Sequence, residues 1–299
     1  MRQSDEHGPA TRVFADHREL VFSIVYNMLG SVADTEDVLQ ETWVSWAGRY
    51  RSEGGEPVEN VRGYLVRVAV NHALARQADV RRRRETYVGP WLPEPLVTAD
   101  DAADAAVRTE AVSMALMVVL ETLNPMERAV FVLFEVFGYS HVEIAEIVGR
   151  NPAAVRQIAH RARTHVQARR PRHRPDPDLQ RAVTERFVAA GLGGDLDAFL
   201  EILAPEVTLW ADGGGKARAA GPRPVHGRDK VADLLINGFA RPLAGTVGIR
   251  DVHVNGEPAA VVMVDEKPFL LLVVDLLPGG DRIGGIYVVT NPDKLLRLS

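Results

Sequence analysis

The chain has 299 residues, 46% of them hydrophobic, with no cysteine and a formal net charge of −5. This length accommodates two or three domains with ordinary apolar cores. The absence of cysteine excludes disulfides, thiol catalysis and cysteine-ligated zinc, and fits a cytoplasmic protein.

Residues 12–86 read as helical. FADHRELVFSIVYNMLG carries apolar residues at helical spacing and stops at Gly30. Its apolar run is cut by Asp16, His17, Arg18 and Glu19, so it does not read as a signal peptide. Asp34 is the expected cap of the next helix, TEDVLQETWVSWAGRY, whose apolar face is expected to use Val38, Trp43, Val44 and Trp46. After a loop with Gly54, Gly55 and Pro57, the third helix, VRGYLVRVAVNHALARQADVRRRR, is apolar first and basic at its end. Residues 87–107 read as a linker, in which Pro90, Pro93 and Pro95 favour an extended run. Tyr87, Trp91 and Leu92 are too apolar for a free linker and imply docking.

Residues 108–174 are helical again. Asn124-Pro125-x-Glu127 and Ser140-x-x-Glu143 are capping boxes, Gly149 ends a short helix, and Asn151-Pro152 starts a basic one. Two capped helices joined by a glycine turn form a helix-turn-helix signature. From 175 to 299 the texture changes. One or two helices precede the β-rich runs VTLWAD, VGIRDVHVNG, AAVVMVD, FLLLVVDLL and IGGIYVVT, with Asn255-Gly256 as a hairpin signal, so an α+β domain is expected. The longest apolar stretches, AVSMALMVVL and FLLLVVDLL, are too short to span a bilayer, and no membrane association is expected.

Charge is unevenly spread. Residues 60–84 carry seven arginines and one acid (+6), and 149–174 carry eight arginines and no acid (+8). Residues 31–59 hold seven acids and two arginines (−5), and 94–146 hold ten acids and two arginines (−8). Two basic islands with acidic neighbours suggest two contacts with a polyanion and acidic faces for another partner. On the basic helix 152–168, Val155, Ile158, Ala159, Ala162 and Val166 share one face, while Arg156, Gln157, His160, Arg161 and Arg163 point outward. Early outward residues of such a helix read base edges, and arginine and glutamine suit guanine and adenine.

The stretch WADGGGKARAAG, Trp210 to Gly221, raises a phosphate cradle as a possibility. The Walker pattern fails: Lys216 is followed by Ala217, Trp210 stands where the first glycine belongs, and Pro222 and Pro224 break the helix that should follow. What remains is a glycine turn flanked by Asp212 and Lys216.

SVADTEDVLQETWVSW and VRGYLVRVAVNHALARQADVRRRR resemble region 2, and LNPMERAVFVLFEVFGYSHVEIAEIVGRNPAAVRQIAHRAR resembles region 4, of the extracytoplasmic-function sigma factors of the sigma-70 family. YVGPWLPEP, DGGGK and the terminal NPDKL resemble the subgroup fused to a C-terminal SnoaL-like domain. The resemblance implies a multidomain chain: two all-α domains and an α+β cone-shaped barrel. It implies that Asp34, Glu36, Asp37, Gln40, Glu41 and Trp43 bind core RNA polymerase. Asn60, Arg67, Asn71 and Arg81, Arg82, Arg83 and Arg84 would hold the promoter −10 element, and Arg156, Gln157, His160, Arg161 and Arg163 would read the −35 element. Trp91, Leu92, Asp212, Gly213, Gly214, Gly215 and Lys216 are expected at a regulatory interdomain contact, with Arg81 to Arg84 or Glu94 as partners of the glycine loop. No cofactor, no metal and no separate anti-sigma protein are expected.

SnoaL-like domains include enzymes with a buried acid or base. Asp212, His226, Asp265 and Asp275 are candidates, but no spacing pairs any two of them, and no catalytic activity is expected. A small-molecule ligand in the cone and a ligand-free protein–protein regulator both stay open. A one-component ligand-sensing regulator, or a SnoaL-like enzyme with a DNA-binding appendage, are the rival readings. The regulator leaves the acidic helix and the −10-like helix without a use.

Overall fold

The computed structural model describes residues 8–51, 58–98, 112–169, 176–217, 221–239 and 245–298. The linker's acidic end, 99–107, and the boundary prolines Pro171 and Pro175 lie outside them. The chain forms two compact units. One contains residues 8–83 and 119–169, the other residues 84–98, 112–118 and 176–298, as far as these are described.

In the first unit, α1 (Pro9–Leu29) ends at Gly30, whose φ of 67° closes the helix as only glycine does easily. The following helix, α2 (Val32–Arg51), starts earlier than expected. Ser31, not Asp34, caps it: the Ser31 hydroxyl accepts from the Asp34 N–H at 3.3 Å, and the Asp34 carboxylate is left free to turn inward. Val38, Leu39, Thr42 and Trp46 are buried along α2, whereas Val44 is 64% exposed. A 3.6-residue turn puts Val44 on the side opposite Thr42 and Trp46, which corrects the expected apolar face. Trp43 is half-buried edge-on to Phe14, and the Trp46 indole N–H donates to the Ala10 carbonyl at 2.9 Å. The long helix α3 (Val61–Glu85) buries Leu65, Val66, Ala69, Val70 and Ala73. Each fully buried leucine or valine among them contributes roughly 1.5–3 kcal/mol.

A short helix α4 (Met114–Leu120) leads to α5 (Pro125–Phe131), which carries the Asn124–Glu127 capping box and runs on into a π-helical turn, Val132–Val136. The helix-turn-helix follows as α6 (His141–Val148), with the Ser140–Glu143 capping box and Gly149 at φ 65°, and α7 (Pro152–Arg169). Asn151 Oδ1 accepts from the Ala154 N–H at 2.8 Å to start α7. Val155, Ala159, Ala162 and Val166 are buried on one face of it. Arg128 of α5 is also buried; it donates to the Asn27 carbonyl at the end of α1 at 2.9 Å and pairs with Glu121.

The second unit is built on a six-stranded sheet. Its helices are α8 (Pro177–Gly193), α9 (Leu196–Ile202) and α10 (Arg228–Phe239). Its strands are β1 (Leu203–Asp212), β2 (Val225–His226), β3 (Val247–Val254), β4 (Glu257–Val264), β5 (Lys267–Leu276) and β6 (Ile283–Val289), in the order β2-β1-β6-β5-β4-β3. Only β1 and β6 pair in parallel; the other neighbours are antiparallel. Asn255 (φ 55°) and Gly256 (φ 74°) turn the β3–β4 hairpin, and Asp265 (φ 48°) and Glu266 (φ 62°) turn the next.

Side chains alternate across the strands. Leu272, Val274 and Ile286 face the helices with Phe187, Phe199 and Val231. Val261, Leu271, Val273 and Val289 face the other way, where Leu92 of the linker and Met114 and Ala115 of α4 cover them. The chain end, α11 (Pro292–Leu295) and a 3-10 turn (Leu296–Leu298), adds Leu295 and Leu298 to that cover. The linker also extends the sheet edge: Val97 bridges Val254, and the Thr98 N–H donates to the His253 carbonyl at 2.9 Å. The expected α+β SnoaL-like architecture is therefore present, with one face of its sheet covered by residues from the linker and the start of α4.

Candidate nucleic-acid interface and its linker node

On α2 and α3, acids and bases interlock. The Arg76 guanidinium reaches Asp34 at 3.0 Å, Glu41 at 3.1 Å and also Asp37. Arg83 adds a second bond to Asp34 at 2.6 Å. Burial would raise the Asp34 pKa, but the hydrogen bonds from Arg83 and Arg76 outweigh it and hold the carboxyl below its ordinary range. The same partners raise Arg76 against the effect of its burial. Glu36 is tied to Arg18 by two bonds of 2.7 Å. Asp34 is thus buried and internally paired and presents no edge to a partner. The exposed residues of this face are Asp37, Gln40, Glu41 and Val44. They line a shallow depression of about 530 Å³ with Ser45 and His72. Val44 is the one sequence reasoning missed, because it was assigned to the core.

At the other end of the unit, Asn60 Oδ1 accepts from the Gly63 N–H at 2.8 Å and caps α3. Arg67 lies over the Tyr64 ring at 5.8 Å, and Asn71 donates to the Ile147 carbonyl at 3.4 Å. The arginine run at the end of α3 is divided. Arg81 and Arg82 are exposed, Arg83 binds Asp34, and Arg84 stacks 3.6 Å from the centre of the Trp91 ring. On α7, Arg156, Gln157, His160 and Arg161 are exposed, Arg161 lying 3.6 Å from Glu127. Arg163 is committed elsewhere: its Nε donates to Glu135 at 2.5 Å and its guanidinium sits over Phe134 at 5.3 Å. It lies about three turns along α7, where it meets the π-helical turn through Phe134 and Glu135, and so fixes the motif from within. Arg150, exposed in the turn before α7, was not singled out from the sequence.

The glycine loop closes a buried node in the second unit. Asp212, fully buried at the end of β1, accepts from the Tyr87 hydroxyl at 2.6 Å, the Leu92 N–H at 2.9 Å and the Lys294 ammonium at 2.6 Å. Asn291 donates to the Tyr87 oxygen at 2.7 Å. Lys294 also bonds the Leu92 carbonyl and lies 4.3 Å from the Trp91 ring centre, opposite no water-exposed edge of its own: it is 9% exposed. Burial lowers the Lys294 pKa and raises that of Tyr87, the latter helped by the Asp212 charge. Past the buried Gly213, the loop turns at Gly214 (φ 62°) and Gly215 (φ 70°). A Cβ on Gly214 would meet Asn291 at 2.4 Å, and one on Gly215 would meet Val88 at 3.1 Å, so the turn needs glycine for space as well as for φ. Lys216 pairs with Asp293 at 2.5 Å. The described partners of DGGGK are Tyr87, Leu92, Asn291, Asp293 and Lys294, and Glu94 meets Arg297 at 3.4 Å.

The four acid–base candidates are apart. Asp212 is consumed by the node, His226 bonds Thr208 at 3.0 Å, and Asp265 accepts from the Thr246 N–H at 2.9 Å in a turn. Asp275 stands on β5, opposite Gly285. Among the described residues no cluster of three or more His, Asp or Glu could hold a metal ion, and no helix is long and apolar enough to cross a membrane.

The profile of Sigma-70 region 2 matches residues 13–84, that of Sigma-70 region 4 matches 113–166, and that of the SnoaL-like domain matches 184–268. The chain is 36% identical to the ECF RNA polymerase sigma factor SigJ of Mycobacterium tuberculosis, over 93% of this chain and 90% of that one. It is 30% identical to the probable ECF RNA polymerase sigma factor SigI of the same species, over 97% and 96%. The crystal structure of M. tuberculosis SigJ superposes with a TM-score of 0.72 at 33% identity, covering 94% of this chain and 96% of that one. The chain belongs to the extracytoplasmic-function sigma factors of RNA polymerase, in the form that carries a C-terminal SnoaL-like domain.

Proposed function

We propose that this chain is a promoter-specificity subunit whose activity is set by its own C-terminal domain. Asp37, Gln40, Glu41 and Val44 offer core polymerase an acidic face with an apolar centre. The Asn60–Asn71 stretch of α3, with Arg81 and Arg82, takes the unstacked −10 strand, which needs cations and aromatic surface. Arg156, Gln157, His160 and Arg161 enter the major groove at −35.

The observation that carries the regulatory reading is the buried node. Asp212 and Lys294 grip the backbone of Leu92, so the C-terminal domain holds the segment that joins region 2 to region 4. Holding or releasing that segment sets the span open to the two DNA-binding regions, and a few kcal/mol of differential contact suffices. Asp212 has no free edge for catalysis, which supports a regulator over an enzyme. ATP has no role in this reading.

In vitro transcription with core polymerase on a library of promoter sequences tests it. Selective initiation by core plus this chain alone is expected. A conventional one-component regulator would give none, and that result would overturn the proposal. Trp91→Ala should increase protease cleavage at residues 87–98 and change transcription; no change in either would refute control through the linker.

A further inference from the structure

We propose that in the free protein α6, the first helix of the helix-turn-helix, stands in for promoter DNA and occupies the −10-reading end of α3. Both lie in the first unit, facing each other across a cleft of about 920 Å³. Asn60, Arg62 and Arg67 line one wall; Tyr139, Glu143 and Glu146 line the other. The Arg62 guanidinium lies over the Tyr139 ring at 5.8 Å, and the Asn71 amide donates to the Ile147 carbonyl at 3.4 Å.

A single DNA strand offers such a surface three things: negative charge for guanidinium groups, flat rings to stack on, and carbonyl acceptors. The α6 wall supplies all three, as the Glu143 and Glu146 carboxylates, the Tyr139 ring and the Ile147 carbonyl. The Glu143 carboxyl is held below its ordinary range, first by the hydrogen bond from the Ser140 backbone N–H, then by the Ser140 side chain, with the Arg62 charge adding to them. The buried Arg128–Asn27 bond ties α5 to the end of α1, so the two walls belong to one packed body. Exposed charge attractions such as that of Arg62 for Glu143 are individually weak and screened by salt, which suits a latch that a cognate strand must displace.

This inference rests on the reading that α3 takes the −10 strand, and the test separates the two. The full chain, without polymerase, is titrated into a fluorescein-labelled single-stranded oligonucleotide carrying the −10 sequence selected in the transcription library. Glu143→Gln with Glu146→Gln removes both charges, and glutamine preserves the capping box at Ser140. Affinity is expected to rise roughly threefold to tenfold at low salt, with the gain fading at high salt. Arg67→Ala should weaken binding in both backgrounds. Unchanged affinity in the folded double variant, with Arg67→Ala still harmful, overturns the latch and leaves the −10 reading standing. No effect of Arg67→Ala overturns both. Because the chain has no cysteine, Arg62→Cys with Tyr139→Cys can be joined uniquely by a short bismaleimide. The joined form should bind the oligonucleotide at least severalfold more weakly than the same variant unjoined; equal binding would refute the occlusion.

Discussion

Arg76 in the first unit and Lys294 in the second each gather carboxylate and neighbouring groups around one cation, yet they differ in access to water. The Arg76 side chain is 25% exposed and those of its partners Asp37 and Glu41 are 55% and 47% exposed, whereas the Lys294 and Asp212 side chains are 10% and 0% exposed. Exposed pairs lose little when broken, because water replaces the partner. A buried pair that loses one member leaves a charge with nothing to solvate it. The first cluster can therefore exchange its internal partner for an external one, while the second gives up its hold on the linker only as a whole. The acidic face proposed for core polymerase and the linker clamp use the same ion-pair chemistry for opposite purposes.

The largest test of this contrast is to delete one acid from each cluster. Asp212→Ala should destabilise the C-terminal unit by about 3–5 kcal/mol, because Lys294 is left buried and unpaired. It should also expose residues 87–98 to protease. Asp37→Ala should cost at most about 1 kcal/mol in urea unfolding yet weaken binding to core polymerase. Equal stability losses in the two variants would break the comparison. A third kind of charge is the exposed Arg156, which makes no ion pair among the described residues and whose proposed role reads out only on DNA. Arg156→Ala should leave stability unchanged, cost about 1–3 kcal/mol on a chosen −35 sequence, and relax preference at one base pair. Uniform loss on all sequences would make it a phosphate contact instead.

The two clusters should also fail at opposite ends of the pH scale. Asp34 has its pKa lowered in the folded protein, so its pairing stabilises the α2–α3 contact above the ordinary carboxyl range and is lost as pH falls through the lowered value. Tyr87 has its pKa raised, so its contribution is complete below about pH 10 and is lost as pH rises beyond that. Lys294, with a lowered pKa, acts in the other direction up to about pH 10.5, where a free lysine also loses its proton. Tyr87→Phe isolates the tyrosine. Its stability deficit, about 1.5–3 kcal/mol for a lost hydrogen bond to a charged group, should be constant below pH 10 and shrink above it. A deficit that does not change with alkaline pH would mean the hydroxyl does not report on Asp212.

Local signals in the sequence carried much of this fold. The Asn124–Glu127 and Ser140–Glu143 boxes and the Asn255-Gly256 turn depend on residues within three positions of each other, and each forms as its pattern indicates. The Asp265–Glu266 turn was invisible because glutamate seldom takes a positive φ, and the two-residue β2 is too short to show a period. Val44 and Asp34 were misread for separate reasons: Val38 and Trp46 of the expected face are buried, but Val44 lies about 200° around the helix from Trp46, and Asp34, read as the cap, lies inside a helix that Ser31 caps. The node was legible only as fragments. Asp212 and Lys294 are 82 residues apart, and no periodicity links a β-strand end to a terminal helix turn. The division of the arginine run likewise depends on which tertiary neighbour each residue meets, Asp34 for Arg83 and Trp91 for Arg84.

The smallest expected effect belongs to Lys216, and it sharpens the boundary of the buried node. Lys216 and Asp293 are 57% and 60% exposed although they sit on the same loop and helix as Asp212 and Lys294. If burial, and not position in the motif, decides what a charge contributes, Lys216→Ala should change stability by about 0–1 kcal/mol, an effect that salt erases. Asp293→Ala should match it, and the double variant should be no worse than the sum of the two. Proteolysis of the linker should be that of the unaltered chain, since the Leu92 backbone is held by Asp212 and Lys294 and not by Lys216. A loss of several kcal/mol in Lys216→Ala, or cleavage of the linker comparable to that in Asp212→Ala, would show that the outer pair is part of the clamp and that solvent access does not separate the two.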